Sequence, residues 1–193
     1  MTLPPALFTR CTALLLWLAL LPGLATAAGD DSGMRVERAD TRLEDGVYRL
    51  DAYISFQLSE AVLEAVNNGV PLTFALEMEV SQQRDWWLDK TVARVVQRYR
   101  LRYHALSRHY LLTNLNTGAR HNFVTLTGAL DLLGTLEDFP LVDASLLPAE
   151  DRYNARLRSR LDMEELPTPL RVVAYLSRHW RLDSPWQQWP LTP

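Results

Sequence analysis

Apolar and polar side chains alternate at every second position along several stretches of this chain, the period of a half-buried β-strand. Tyr48, Leu50, Ala52, Ile54, Phe56 and Leu58 share one face, and Arg49, Asp51, Tyr53, Ser55 and Gln57 the other. Leu72, Phe74, Leu76, Met78 and Val80 repeat the pattern, with Glu77 and Glu79 turned outward. Between Ala93 and Ala105 the odd positions carry Ala93, Val95, Gln97, Tyr99, Leu101 and Tyr103, and the even ones Arg94, Val96, Arg98, Arg100, Arg102 and His104. A helix would scatter those arginines round its circumference, whereas a strand puts them in one row. An antiparallel hairpin across "RDWWLDK" would bring that row opposite Glu77 and Glu79 as a solvated ladder of ion pairs, each pair contributing roughly 0.2–1 kcal/mol.

Further strands are expected at His109–Asn114 and Arg120–Val124, joined by a turn in which Gly118 supplies a positive φ. Tyr153, Ala155, Leu157, Ser159 and Leu161 oppose Asn154, Arg156, Arg158 and Arg160, a second arginine row. Arg171–Leu182 reads as the last long strand. Two short helices interrupt the strands. One runs over about 60–68, capped by Ser59 and stopped by Gly69; the other over about 126–133, capped by Thr125 or Thr127 and stopped by Gly134. "EDFPLVDASLLPAED", from Glu137 to Asp151, reads as an irregular surface loop open to proteolysis. The expected fold is mainly β, an antiparallel β-sandwich or strongly curved sheet. No internal repeat or domain linker divides it.

The amino end changes the setting. Arg10 and the uncharged run from Cys11 to Leu21, followed by Pro22-Gly23 and then Ala25-Thr26-Ala27, have the form of a helical export signal over 1–27, cut before Ala28. The run is shorter than the roughly 20 residues that span a bilayer comfortably. The expected location is therefore the periplasm, with an uncleaved inner-membrane anchor as the alternative. Residues 28–34 read as a flexible leader and 35–193 as a single β-rich domain. Cys11 is the only cysteine, so the mature domain has no disulfide, thiol catalysis or thiolate metal site. The formal net charge of −3 becomes −4 once Arg10 leaves with the signal. A net-acidic exported domain argues against nucleic acid as the partner of the arginine rows.

"GVPLTFALEMEV" before "DWWLDK", then "RYRLRYHALSRHYLL", "TLTGALDLLG", "RLRSRLDMEELPTPLRV" and "WRLDSPWQQWPLTP" together resemble a bacterial family, the domain of unknown function 4390. The resemblance spans roughly Met34 to Pro193. It implies an exported proteobacterial envelope protein, and it brings no reaction and no catalytic residues. It also associates such genes with neighbourhoods encoding a sensor-kinase pair, a pointer to membrane signalling.

Candidate chemistry is sparse. Tryptophans cluster as Trp86-Trp87 and as Trp180, Trp186 and Trp189. Exposed rings of this kind can anchor a protein partner, stack on sugars or insert at a lipid interface. The alternative is that the carboxy-terminal rings fold back and plug the sheet ends. Arg98, Arg100, Arg102, Arg156, Arg158 and Arg160 are the candidates for an anionic lipid or glycan. The histidines, His104, His109, His121 and His179, carry no metal-binding motif, and the spacing of His104 and His109 suits neither face of a strand pair. No serine sits in a GxSxG elbow, and glycine is too sparse for a phosphate-cradling loop. Glu77 and Glu79 share a strand face from which a hydrolase could work, yet their neighbours favour ion pairing. The expectation is a non-enzymatic envelope module without cofactor or metal that binds a protein partner. Lipid or glycan binding is the alternative, and a hydrolase comes third.

Overall fold

The computed structural model describes residues 33–84 and 88–192. Among the described residues, nine strands form two antiparallel sheets. β1 (Gly33–Glu44), β2 (Val47–Gln57) and β7 (Thr135–Asp143) make the smaller, in the order β1-β2-β7. The larger has six strands in the order β6-β5-β4-β3-β8-β9. These are β3 (Leu72–Gln82), β4 (Lys90–His104), β5 (His109–Asn114), β6 (Arg120–Phe123), β8 (Tyr153–Leu161) and β9 (Gln187–Pro190). The expected mainly β, antiparallel architecture is the one observed, with neither sheet closed into a barrel.

The core lies between the sheets and is built from the alternating positions. Leu50, Ala52 and Ile54 of β2 face Phe74, Leu76 and Met78 of β3 and Leu157 of β8, all buried. Phe56 meets Phe74 edge-on, with centroids 5.7 Å apart and planes at 82°. Each such side chain contributes roughly 1.5–3 kcal/mol on burial. The expected β3–β4 hairpin forms, with Glu79 opposite Arg94 and Ala75 opposite Arg98.

α1 (Glu60–Asn67) and α2 (Leu126–Gly134) lie where the capping residues put them. Ser59 Oγ accepts from the Val62 amide, Thr125 Oγ1 accepts from the Gly128 amide, and Gly69 has φ +80°. Gly134 serves another purpose than stopping a helix: a Cβ there would sit 2.1 Å from the Ile54 carbonyl oxygen. Only glycine lets the end of α2 rest on the backbone of β2.

Three expectations need correction, and one strand was missed. Arg171–Leu182 is not a strand. It forms α3 (Thr168–Leu176) and a 3₁₀ turn over Arg178–Trp180, because Pro167 and Pro169 preset the first helical turn. The loop expected from Glu137 begins instead with β7 and a 3₁₀ turn, Ala144–Leu146. Pro140 is tolerated there because β7 pairs with β2 alone and needs no second row of amide donors. Register shifts in that pairing bury the adjacent Leu141 and Val142 and conceal the strand period. Gly33 and Met34, expected in the leader, belong to β1, and Met34 is buried in the core. β1 itself was not expected, although Asp45-Gly46, with φ of 50° and 76°, is a strong hairpin signal. The expected signal over 1–27 lies outside the described residues.

Candidate binding face of the six-stranded sheet

One face of the larger sheet packs on the core, and the other carries both arginine rows. Arg94, Arg98, Arg100 and Arg102 project from β4, and Arg156, Arg158 and Arg160 from β8, with β3 between them. Glu77 and Glu79 rise from β3 into that gap. They were expected on a solvated surface, yet they are only 2% and 6% exposed. The arginines close over them from both sides, so a central strand with polar outward residues is buried on both faces from Leu72 to Val80.

The contacts are directional. Arg158 donates through Nε (2.9 Å) and Nη2 (2.7 Å) to Oε2 of Glu77, and Arg160 donates through Nε to Oε1 at 2.8 Å. Arg156 donates from Nε to Oε2 of Glu79 at 2.8 Å and also from Nη2, while Arg94 Nε lies 3.3 Å from Oε1. Burial is the largest single influence on Glu77 and would raise its pKa. The hydrogen bonds and charges of Arg160 and Arg158 together outweigh it and hold the carboxyl below its usual range. Trp186 covers the β8 row, its ring 4.4 Å from the Arg156 guanidinium carbon and 4.5 Å from that of Arg158.

The β4 row is more open. Arg100 reaches Glu165 at 3.2 Å, and Arg98 lies 3.9 Å from Asp162, a nearly buried carboxylate shared with Arg160. Arg98 and Arg102 are exposed. β5 pairs with β4 only from Tyr99 onward, and Asn116 extends the ladder in its place. Its Oδ1 accepts from the Arg98 amide at 2.7 Å, and its Nδ2 donates to the Val96 carbonyl at 2.9 Å. Arg120 of β6, exposed, lies in the same transverse row as Arg100, with Thr113 between them.

The sequence-predicted site residues divide sharply. Arg98, Arg100, Arg102, Arg156, Arg158 and Arg160 come together on one face, joined by Trp186. Trp180 is buried in the core, and Trp189 is half-buried, donating from Nε1 to Thr41 Oγ1 at 3.2 Å and so linking the two sheets. Trp86 and Trp87 lie outside the described residues. His104 and His109, which the spacing kept apart, sit directly opposite each other across the β4–β5 turn. Among the described residues, no three His, Cys, Asp or Glu side chains converge in an arrangement able to hold a metal ion.

A second carboxylate cluster lies in a hollow of about 480 Å³ on the smaller sheet, where Asp51 and Asp138 meet Arg42. Arg42 pairs with both, Arg49 donates to Asp138 Oδ2 at 2.9 Å, and the Asp138 amide donates to Asp51 Oδ1 at 2.9 Å. Each carboxylate oxygen of Asp51 and Asp138 accepts a hydrogen bond, which suits a structural ion network better than proton transfer. Sequence reasoning did not single out this cluster, because Asp138 reaches it through a positive-φ kink (φ 53°) that alternation does not reveal.

The family model for the domain of unknown function DUF4390 matches residues 31–190, which takes in both sheets, all three helices and the arginine face. The chain belongs to the DUF4390 family. No curated protein and no solved structure matches it. For this DUF4390 domain, the arginine face of the six-stranded sheet is therefore the functional candidate on its own geometry.

Proposed function

We propose that this DUF4390 domain is a non-enzymatic module of the cell envelope, exported to the periplasm or held at the inner membrane by its amino-terminal segment. Its task is to bind an acidic segment of a protein partner across the outward face of the six-stranded sheet. The observation that carries this reading is the pair of arginine rows on one open face of a chain that is acidic overall. Glu77 and Glu79 neutralise only part of that charge: they hold Arg94, Arg156, Arg158 and Arg160, and leave the rest of the β4 row facing outward.

Periodicity supports a polypeptide partner. Alternate residues of a strand repeat at about 7 Å, so Arg98, Arg100 and Arg102 match the carboxylates of an extended acidic peptide running alongside. A role in membrane-associated signalling fits such a module.

Fluorescence anisotropy of a labelled poly-glutamate peptide against the full chain tests the reading. Binding that weakens with salt, and that the Arg98→Ser, Arg100→Ser, Arg102→Ser variant loses, is the expected result. Equal binding by the variant would remove the face from consideration. Loss confined to phosphatidylglycerol vesicles, with no peptide binding by either form, would transfer the face to the lipid reading.

A further inference from the structure

α3 is inverted relative to an ordinary surface helix. Its buried position is the small Ala174, while Val172 is 61% and Leu176 86% exposed, with Val173 and Tyr175 also facing out. At 100° per residue these four side chains cover one continuous arc. The sandwich end that carries α3 collects other exposed apolar residues. The β4–β5 turn presents a fully exposed Leu106, and Val124, just past β6, is exposed beside it.

Two observations identify what meets this end. The first is charge. From Leu166 to Leu182 the sequence contains Arg171, Arg178, His179 and Arg181 and no acidic residue, and the exposed carboxylates of this end, Glu60, Glu64, Glu164, Glu165 and Asp183, lie on the flanking elements. Arg178 and Arg181 are exposed next to the apolar arc. The second is where the chain enters. β1 begins at Gly33, paired with Gln57, and two residues beyond Gln57 the Ser59 hydroxyl donates to the His179 carbonyl at 2.6 Å, in the turn following α3. Where the amino-terminal segment is kept as an anchor, its apolar run Cys11–Leu21 therefore joins the domain at the same end as α3.

We propose that this end of the sandwich rests on an anionic phospholipid surface, with the outward arc of α3 among the headgroups and Arg178 and Arg181 on lipid phosphates. This surface is separate from the arginine rows, and each stands without the other. The arrangement leaves the outward face of the larger sheet open to a partner.

Site-directed nitroxide labelling of the full chain tests it. In a Cys11→Ser background, Leu176→Cys is labelled and the protein reconstituted into phosphatidylcholine vesicles with and without phosphatidylglycerol. Leu146→Cys, at the opposite end, serves as the aqueous reference. With phosphatidylglycerol present, the label at 176 should collide more often with oxygen than with a water-soluble nickel chelate, the reverse of the label at 146. A label at Leu106→Cys should behave like 176 and return to the aqueous pattern when Val172 and Leu176 are both replaced by Asp. A chelate-accessible label at 176 would overturn the proposal, as would shielding from both reagents, the signature of a protein partner or a second copy. Neither overturning result would alter poly-glutamate binding by the arginine face.

Discussion

Glu77 shows what a single side chain can decide. Its two oxygens accept from Arg158 and Arg160, and its carboxylate is out of reach of water. Glu77→Gln keeps the shape and removes the charge, leaving Arg158 without its counter-ion and Arg160 with Asp162 alone. The arginines are partly solvated, which moderates the loss, and a destabilisation of about 2 kcal/mol is expected in urea unfolding. The sequence placed Glu77 and Glu79 on the correct side of the strand and set the β4 row against them, yet only Arg94 of that row reaches them, and their hydrogen bonds come from Arg156, Arg158 and Arg160 of β8. It did not reveal their burial, because alternation reports which side a residue faces and not what lies above it. The same lack of depth information hid the pairing of His104 with His109.

Among the elements, those whose signals are local were readable and those that depend on a neighbour were not. α1 and α2 announce themselves through Ser59, Gly69 and Thr125, residues whose side chain or positive φ does one job. β7 does not, because its proline and its bulges make sense only beside β2. α3 does not either, since its apolar residues face outward and mimic a strand. Gly134 belongs to this group. Its role depends on the Ile54 carbonyl, far away in the sequence. Gly134→Ala should push α2 off β2 and cost about 3 kcal/mol by overpacking, measured as a lowered denaturation midpoint. Gly46→Ala, in open space with φ +76°, should cost only about 1 kcal/mol.

For the whole molecule, the sandwich joins through a mainly apolar core and carries the ion pairs of its buried glutamates on the outside of the larger sheet, so acid should act on that sheet first. The folded-state pKa of Glu77 lies below its unfolded value. Its contribution is therefore complete at neutral pH, above the unfolded pKa, and is lost as pH falls through the folded value. Stability should decline from about pH 5 downward, and the Glu77→Gln variant should show a shallower decline than the parent in urea midpoints measured across that range. Fold class and the two arginine rows came from periodicity alone. The meeting of those rows on a single face required β3 to lie between β4 and β8, a crossover that no local pattern encodes.

Trp186 and β9 have a bearing on biosynthesis. The stretch from Trp186 to Pro190 is made after every strand it covers, and it both shields the guanidinium groups of β8 and occupies that strand's outer edge. A polypeptide interrupted before residue 186 would contain most of its core and yet display an unpaired strand edge beside uncovered cations, a template for self-association. Quality control acting on nascent copies has a clear mark to recognise in that naked border.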